Sequence, residues 1–149
     1  MYCSHLAPLK KMDVWSAPDM LVLHLKRFQY VPGQYFVHRE KINDLIDFPV
    51  TGLDLTKHVI GPQDPAAPPI YDMYAVPQHS GGLGGGHYTA VCKNFKDGQW
   101  YNCNDLHVSA VADPQTAVDG SAYVLFCQRR SGHLNWGGIV PTPEAISDE

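Results

Sequence analysis

The residues best suited to chemistry gather in Ser80–Ala90, which reads Ser-Gly-Gly-Leu-Gly-Gly-Gly-His-Tyr-Thr-Ala. Five glycines in the seven positions 80–86 run straight into His87. Imidazole moves protons near neutral pH better than any other side chain. Glycine lets a backbone approach a ligand closely. The stretch therefore reads as a glycine loop held against a proton-transfer group. A plain flexible connector followed by an incidental strand histidine is the competing reading, and residue types alone do not separate the two.

A base needs an orienting partner, and the next hairpin offers one. Lys96-Asp97-Gly98 lies between two β-rich runs, His87–Phe95 and Gln99–Asp105, and Asp-Gly is a strong hairpin signal. Closing pairs Lys96–Gln99 or Phe95–Gly98 make the numbers of cross-strand partners sum to an odd value. His87 then shares a sheet face with even-numbered residues of the second strand, so Asn104 is on its face and Asp105 on the other. The Phe95–Gly98 closure sets Asn104 opposite Thr89, about 6.6 Å along the strand from His87 and within diagonal reach. A bulge would reverse the parity and favour Asp105. A His–Asn pair is expected, with His–Asp as its rival.

A histidine oriented by an amide or carboxylate is two-thirds of a nucleophilic triad. The cysteines are Cys3, Cys92, Cys103 and Cys127. By the same parity Cys92 and Cys103 point away from His87, and Cys127 sits in an apolar run. Cys3 is remote in sequence and stays open. The chain thus shows a base and an orienter without an evident attacking thiol.

The elements that must position these groups read as strands. Met20–Phe28 begins as a continuous apolar run and reads as one buried strand, with His24 as a hydrogen-bonded core residue. Val31-Pro-Gly-Gln reads as a turn within a polar, aromatic-bearing loop from Gln29 to Lys41 that carries Tyr30, Tyr35 and Phe36. Ile42–Val50 reads as a short mixed strand, and Leu53–Val59 as a helical turn with Thr51 or Asp54 near its start. Gly61–Pro69 holds four prolines and reads as a surface excursion. Tyr71–His79, His107–Val111 (an edge) and Ala122–Arg129 complete the strands. Ala112–Ala117 is a candidate helical turn, and Ser131–Glu149 reads as a poorly ordered tail.

Bulk properties narrow the function class. The chain has 149 residues, 44% of them apolar and 17% charged, with a net charge of -4. That is the composition of one globular domain or a piece of one, with no basic stripe for nucleic acid and no run long enough to span a bilayer. The cysteines show no tight pairing pattern, so reduced thiols in the cytosol or nucleus are expected. Cys3 and His5 could form half of a metal knuckle, but no second pair has suitable spacing.

Several blocks in order carry a family resemblance. Leu-His-Leu-Lys-Arg-Phe at 23–28, Gly86-His87-Tyr88, Trp100-Tyr101 followed by Asn104-Asp105, and Ala122-Tyr-Val-Leu-Phe resemble the C-terminal half of the catalytic domain of ubiquitin-specific proteases. These are papain-like cysteine deubiquitinases. The resemblance covers roughly residues 1–130. It implies an α+β class: the mostly antiparallel β palm and the end of the fingers of that fold, with the thumb missing.

The resemblance further implies thiol-dependent hydrolysis of (iso)peptide bonds at the ubiquitin C-terminal glycine. His87 matches the catalytic histidine, Asn104 the third triad position and Asp105 the acidic residue that follows it. The loop from Ser80 to Gly86, with Gly81, Gly85 and Gly86, matches a blocking loop over the ubiquitin tail, and Gln29–Lys41 matches the other. Phe28, His79 and Tyr88 match positions lining the tail channel. Ubiquitin and ubiquitinated proteins are the implied partners, without nucleic acid or membrane.

Two departures qualify this match. The family's cysteine box lies upstream of the blocks matched here, so the resemblance implies that the nucleophile is to be expected in a longer parent. The family's Cys-x-x-Cys zinc ribbon is replaced by Cys3-Ser-His-Leu6, so no metal or other cofactor is expected. The alternative is a non-catalytic ubiquitin-binding remnant; a β-rich metal or ligand module using some of the eight histidines is disfavoured by their scatter and lack of ligand spacing.

Overall fold

The computed structural model describes residues 10–32, 37–82 and 84–131. The strands, in chain order, are β1 (Met20–His24), β2 (Phe28–Pro32), β3 (Val37–Lys41), β4 (Leu53–Asp54), β5 (Ile70–Gly82), β6 (Gly85–Lys93), β7 (Trp100–Asn104), β8 (His107–Val111) and β9 (Val124–Arg129). Seven of them form one sheet in the order β1-β9-β5-β6-β7-β8, with β4 paired to the start of β5. Every pairing between these strands is antiparallel. β2 and β3 form a separate two-stranded ribbon. Helix among the described residues is limited to one 3-10 turn, Pro114–Ala117, capped by the Asp113 carboxylate accepting from Gln115 N. The β-rich palm architecture expected from the sequence is therefore present.

One face of the sheet carries the core. Tyr71, Met73 and Val76 of β5, Val91 of β6, and Leu125 and Cys127 of β9 are buried together with Phe48, Val50, Ala117 and Ala122. Tyr71 and Met73 alternate on β5, as do Leu125 and Cys127 on β9, and a register shift between Met73 and Ala75 brings Val76 onto the same covered face. Burial pushes the Cys127 thiol up to about 11, which makes it an inert packing residue, as read from the sequence.

Several local expectations are corrected. Met20–Phe28 is not one buried strand. It breaks at Leu25–Arg27, where the Arg27 N–H donates to Leu25 O. The break exists because Arg27 turns inward: its side chain is 2% exposed, and its guanidinium donates to Ala122 O, Ile42 O and Asp44 O. β1 lies at the sheet edge, so Val22 and His24 are exposed, and His24 stacks edge-on against Tyr123 instead of entering the core.

Gln29–Lys41 is not an open loop. It is the β2–β3 ribbon, in register from Phe28↔Lys41 to Pro32↔Val37 and joined across the strands by Gln29 Nε2 donating to Glu40. The turn residues 33–36, with Tyr35 and Phe36, lie outside the described residues. Ile42–Val50 forms no strand, because its carbonyls at Ile42 and Asp44 are taken by Arg27. Leu53–Val59 gives two strand residues and then a single turn, with Asp54 accepting from Thr56 N and Leu55 O from Val59 N. β8 is the opposite sheet edge, as expected. Of the expected tail, only Ser131 is among the described residues.

Candidate active site

The β6–β7 hairpin decides what His87 meets. Its register is Ala90↔Cys103, Val91↔Asn102, Cys92↔Tyr101 and Lys93↔Trp100, the alignment expected from a Phe95–Gly98 closure. The turn itself is wider than two residues. Asn94 N donates to Gln99 O and Gly98 N to Asn94 O, with Gly98 at φ +71. Left-handed backbone at that corner suits glycine, while the Asn94 and Asp97 side chains satisfy neighbouring N–H groups.

Carrying the register forward sets Asn104 opposite Thr89, on the His87 face. His87 Nε2 and Asn104 Oδ1 are 2.6 Å apart. An amide oxygen only accepts, so Nε2 carries the proton and Nδ1 keeps its lone pair. That tautomer leaves a proton acceptor on a ring held from its other side. Asp105 is the weaker partner. Its Oδ2 is 3.8 Å from His87 Nε2, beyond hydrogen-bond range. Asp105 and Leu106 make the two-residue turn between Asn104 and His107, and Asp105 takes the positive φ, +50, that such primed hairpin turns require. This turn directs its carboxylate outward, where three-quarters of it is exposed.

The glycine stretch is also corrected. It is not a loop but the tip of a hairpin: Ser80↔His87, Gly81↔Gly86 and Gly82↔Gly85 continue the β5–β6 ladder. Backbone pairing inherited from two long strands overrides the weak strand preference of glycine. Two of the glycines are sterically required. A Cβ on Gly86 would lie 2.2 Å from His79 Nε2 and 2.6 Å from Ser80 O. At Gly81 (φ +104) a Cβ would lie 2.8 Å from Gly85 O.

Phe28, His79 and Tyr88 come together on the other face of the same end of the sheet. Ring centroids are 5.5 Å apart for Phe28–His79 and 4.6 Å for His79–Tyr88. Tyr123, which the sequence reading did not single out, completes the cluster at 5.7 Å from Phe28 and 6.2 Å from both His79 and Tyr88. Its signal was available: an aromatic at the mouth of the last apolar strand. Tyr88 is the exposed member, whereas His79 is only 4% exposed.

His79 Nδ1 is buried without a partner, while Lys41 Nζ donates to the His79 carbonyl. Burial, and then the Lys41 charge, hold the His79 pKa below the ordinary imidazole value. The unfolded chain therefore binds this proton first on acidification. The stability that neutral His79 contributes is full above about pH 6.5 and is lost as pH falls through its lower folded value. Thermal denaturation between about pH 7.5 and 5 should show a larger fall in Tm for the wild type than for His79→Gln. Equal falls would contradict this.

None of the described thiols faces the His87 ring. Cys92 and Cys103 are half-buried on the opposite sheet face and Cys127 is in the core. Cys3 and His5 lie outside the described residues. The described residues thus combine a histidine held by an amide, a close-approach glycine edge and an aromatic cluster.

Comparisons with known proteins point the same way. A family model described as ubiquitin carboxyl-terminal hydrolase matches residues 3–127. Over 149 aligned residues the chain is 44% identical to ubiquitin carboxyl-terminal hydrolase 12 of Saccharomyces cerevisiae, covering 97% of this chain and 11% of that protein. It is 46% identical over 133 residues to ubiquitin carboxyl-terminal hydrolase 15 of Homo sapiens, covering 87% of this chain and 13% of the relative. Among solved structures, the Ubp8-Sgf11-Sgf73-Sus1 SAGA DUB module superposes with a TM-score of 0.67 at 30% identity, over 82% of this chain and 28% of the matched one. The Ubp8/Sgf11/Sus1/Sgf73 module bound to ubiquitin aldehyde gives 0.64 at 30% identity, over 76% and 25%. The chain therefore spans about one-eighth of the length of these curated relatives.

Proposed function

Because this chain belongs to the ubiquitin carboxyl-terminal hydrolase family, we propose that it supplies the base-bearing wall of a thiol-dependent ubiquitin hydrolase whose nucleophilic cysteine lies in a longer parent. The observation that carries this reading is the 2.6 Å contact from His87 Nε2 to Asn104 Oδ1. On this account residues 1–130 are one part of a catalytic domain. The substrate is the amide or isopeptide bond after the ubiquitin C-terminal Gly-Gly.

The chemistry follows from the tautomer. His87 Nδ1 takes the proton of the parent's cysteine thiol, and the thiolate attacks the glycine carbonyl. The imidazolium, steadied by Asn104 and by the Asp105 charge, then protonates the departing lysine amine. Water cleaves the resulting thioester with His87 again as base. Glycine at 81, 85 and 86 suits a tail that itself ends in Gly-Gly, since neither side presents a Cβ. Phe28 and Tyr88, with Ser80 and His79 beside them, border the path of that tail. A ubiquitin-aldehyde complex exists for one structurally similar protein, which supports ubiquitin as the ligand. The free thiols among the described residues fit a reducing compartment, the cytosol or nucleus.

Asn104→Ala and Asp105→Ala, introduced in the parent and assayed on a ubiquitin C-terminal fluorogenic amide, separate the two candidate orienters. Asn104→Ala is expected to lower kcat by about 10- to 10³-fold, and Asp105→Ala by less than about tenfold. The reverse order would transfer the orienting role to Asp105.

A second reading, a ubiquitin-binding remnant without catalysis, is favoured by one observation: no described thiol faces His87. It predicts ubiquitin-dependent shifts in the NMR spectrum of this chain together with an inactive parent. Turnover by the parent removes it.

A further inference from the structure

Cys92 and Cys103 form a feature that the hydrolase reading does not use. Cys92 pairs with Tyr101 and Cys103 with Ala90, so the two cysteines are diagonal neighbours on one face of the β6–β7 hairpin. Both are free and half-buried. They line the same shallow cavity, about 280 Å³, with Tyr101 and Val108 as apolar walls. The face is the one opposite His87 and Asn104.

We propose that Cys92 and Cys103 are a reversible oxidation site, converted by peroxide into a disulfide that staples β6 to β7. The cavity gives a small peroxide access to both sulfurs. Burial first, then the nearby Cys103, keep the Cys92 proton on, which makes Cys92 the resolving thiol and not the first to react.

The steps balance. The Cys103 thiolate attacks one peroxide oxygen, the O–O bond breaks, and the departing hydroxide leaves as water after protonation. Cys103 becomes a sulfenic acid. Cys92 Sγ then attacks the Cys103 sulfur, the S–O bond breaks, a second water leaves and the S–S bond forms. The two sulfurs lose two electrons, and the peroxide gains them. Diagonal Cα atoms in such a pair lie about 7–8 Å apart, beyond the ordinary span of a disulfide, so the bridge forms only as the hairpin backbone shifts to draw them together. A bridge at that spacing is readily reduced by a small thiol, hence the reversibility.

The test treats the 149-residue chain with hydrogen peroxide, alkylates the remaining thiols, and maps the digest by mass spectrometry without reduction. The expected product is a peptide pair joining Cys92 to Cys103, two hydrogens lighter than the separate peptides. Dithiothreitol should dissolve it, and Cys92→Ser or Cys103→Ser should abolish it. The same treatment in urea should scatter the pairing over Cys3 and Cys127 as well. Independent sulfinic acids at 92 and 103 in the folded chain, or joining no more frequent than in urea, would overturn the proposal. Neither result depends on whether His87 serves a hydrolase.

Discussion

Replacing His87 with alanine in the full-length parent is expected to lower kcat for a ubiquitin C-terminal amide by at least about 10³-fold, with ubiquitin affinity changed by less than about threefold. The size follows from the number of tasks one ring performs. On the proposed mechanism it removes the thiol proton before attack and returns a proton to the leaving amine, so its loss would affect both halves of the reaction. The small effect on affinity follows from placement. His87 faces the Asn104 side of β6, whereas Phe28, Tyr88 and Tyr123 cluster on the opposite side. Steady-state hydrolysis and ubiquitin titration of the same variant check both halves. A fall in affinity as large as the fall in kcat would mean that the ring holds the substrate instead of moving protons.

Replacing Arg27 with methionine is expected to destabilise this chain by about 3–5 kcal/mol in denaturant unfolding. A domain's whole stability is only about 5–15 kcal/mol, so much of the chain would be unfolded. The cause is local. Arg27 is buried, and its guanidinium donates to the carbonyls of Ala122, Ile42 and Asp44. Methionine fills the volume but leaves those acceptors without donors. Lysine should rescue little, because one ammonium lacks the planar fork that reaches separate carbonyls. The same residue ties the segment just before β9 to the segment after β3, next to Phe28. A loss below about 1 kcal/mol would show that water replaces the guanidinium at no cost.

These two residues also mark what could be read from the sequence and what could not. The His87–Asn104 pairing was legible because alternation along strands and the Asp97-Gly98 turn leave few registers, and parity alone then separates Asn104 from Asp105. Arg27 was not legible. Its place at the basic end of an apolar run suggests a surface, and only three carbonyls from two distant segments make burial favourable. The strand at Met20–Phe28 was therefore drawn too long. The expected strand at Ile42–Val50 failed for the same reason, since its backbone serves Arg27 and not a neighbouring strand.

The glycines of 81–86 mislead in the opposite sense. Their composition signals a loop, but pairing across β5 and β6 extends to Gly82↔Gly85. What glycine contributes there is space, at Gly86 against His79 and at Gly81 against Gly85, more than freedom. Tyr123 was overlooked because a strand tyrosine looks like packing until the partner rings are placed around it.

The central claim is that His87 serves as base to a thiol outside this chain. It is tested most directly by changing each of Cys3, Cys92, Cys103 and Cys127 to alanine in the parent, beside His87→Ala, and measuring hydrolysis of one ubiquitin C-terminal amide. The account predicts that all four cysteine variants keep turnover within about threefold of wild type while His87→Ala loses it. An inactive variant at any of the four cysteines that still folds and binds ubiquitin, or an active His87→Ala, would contradict it.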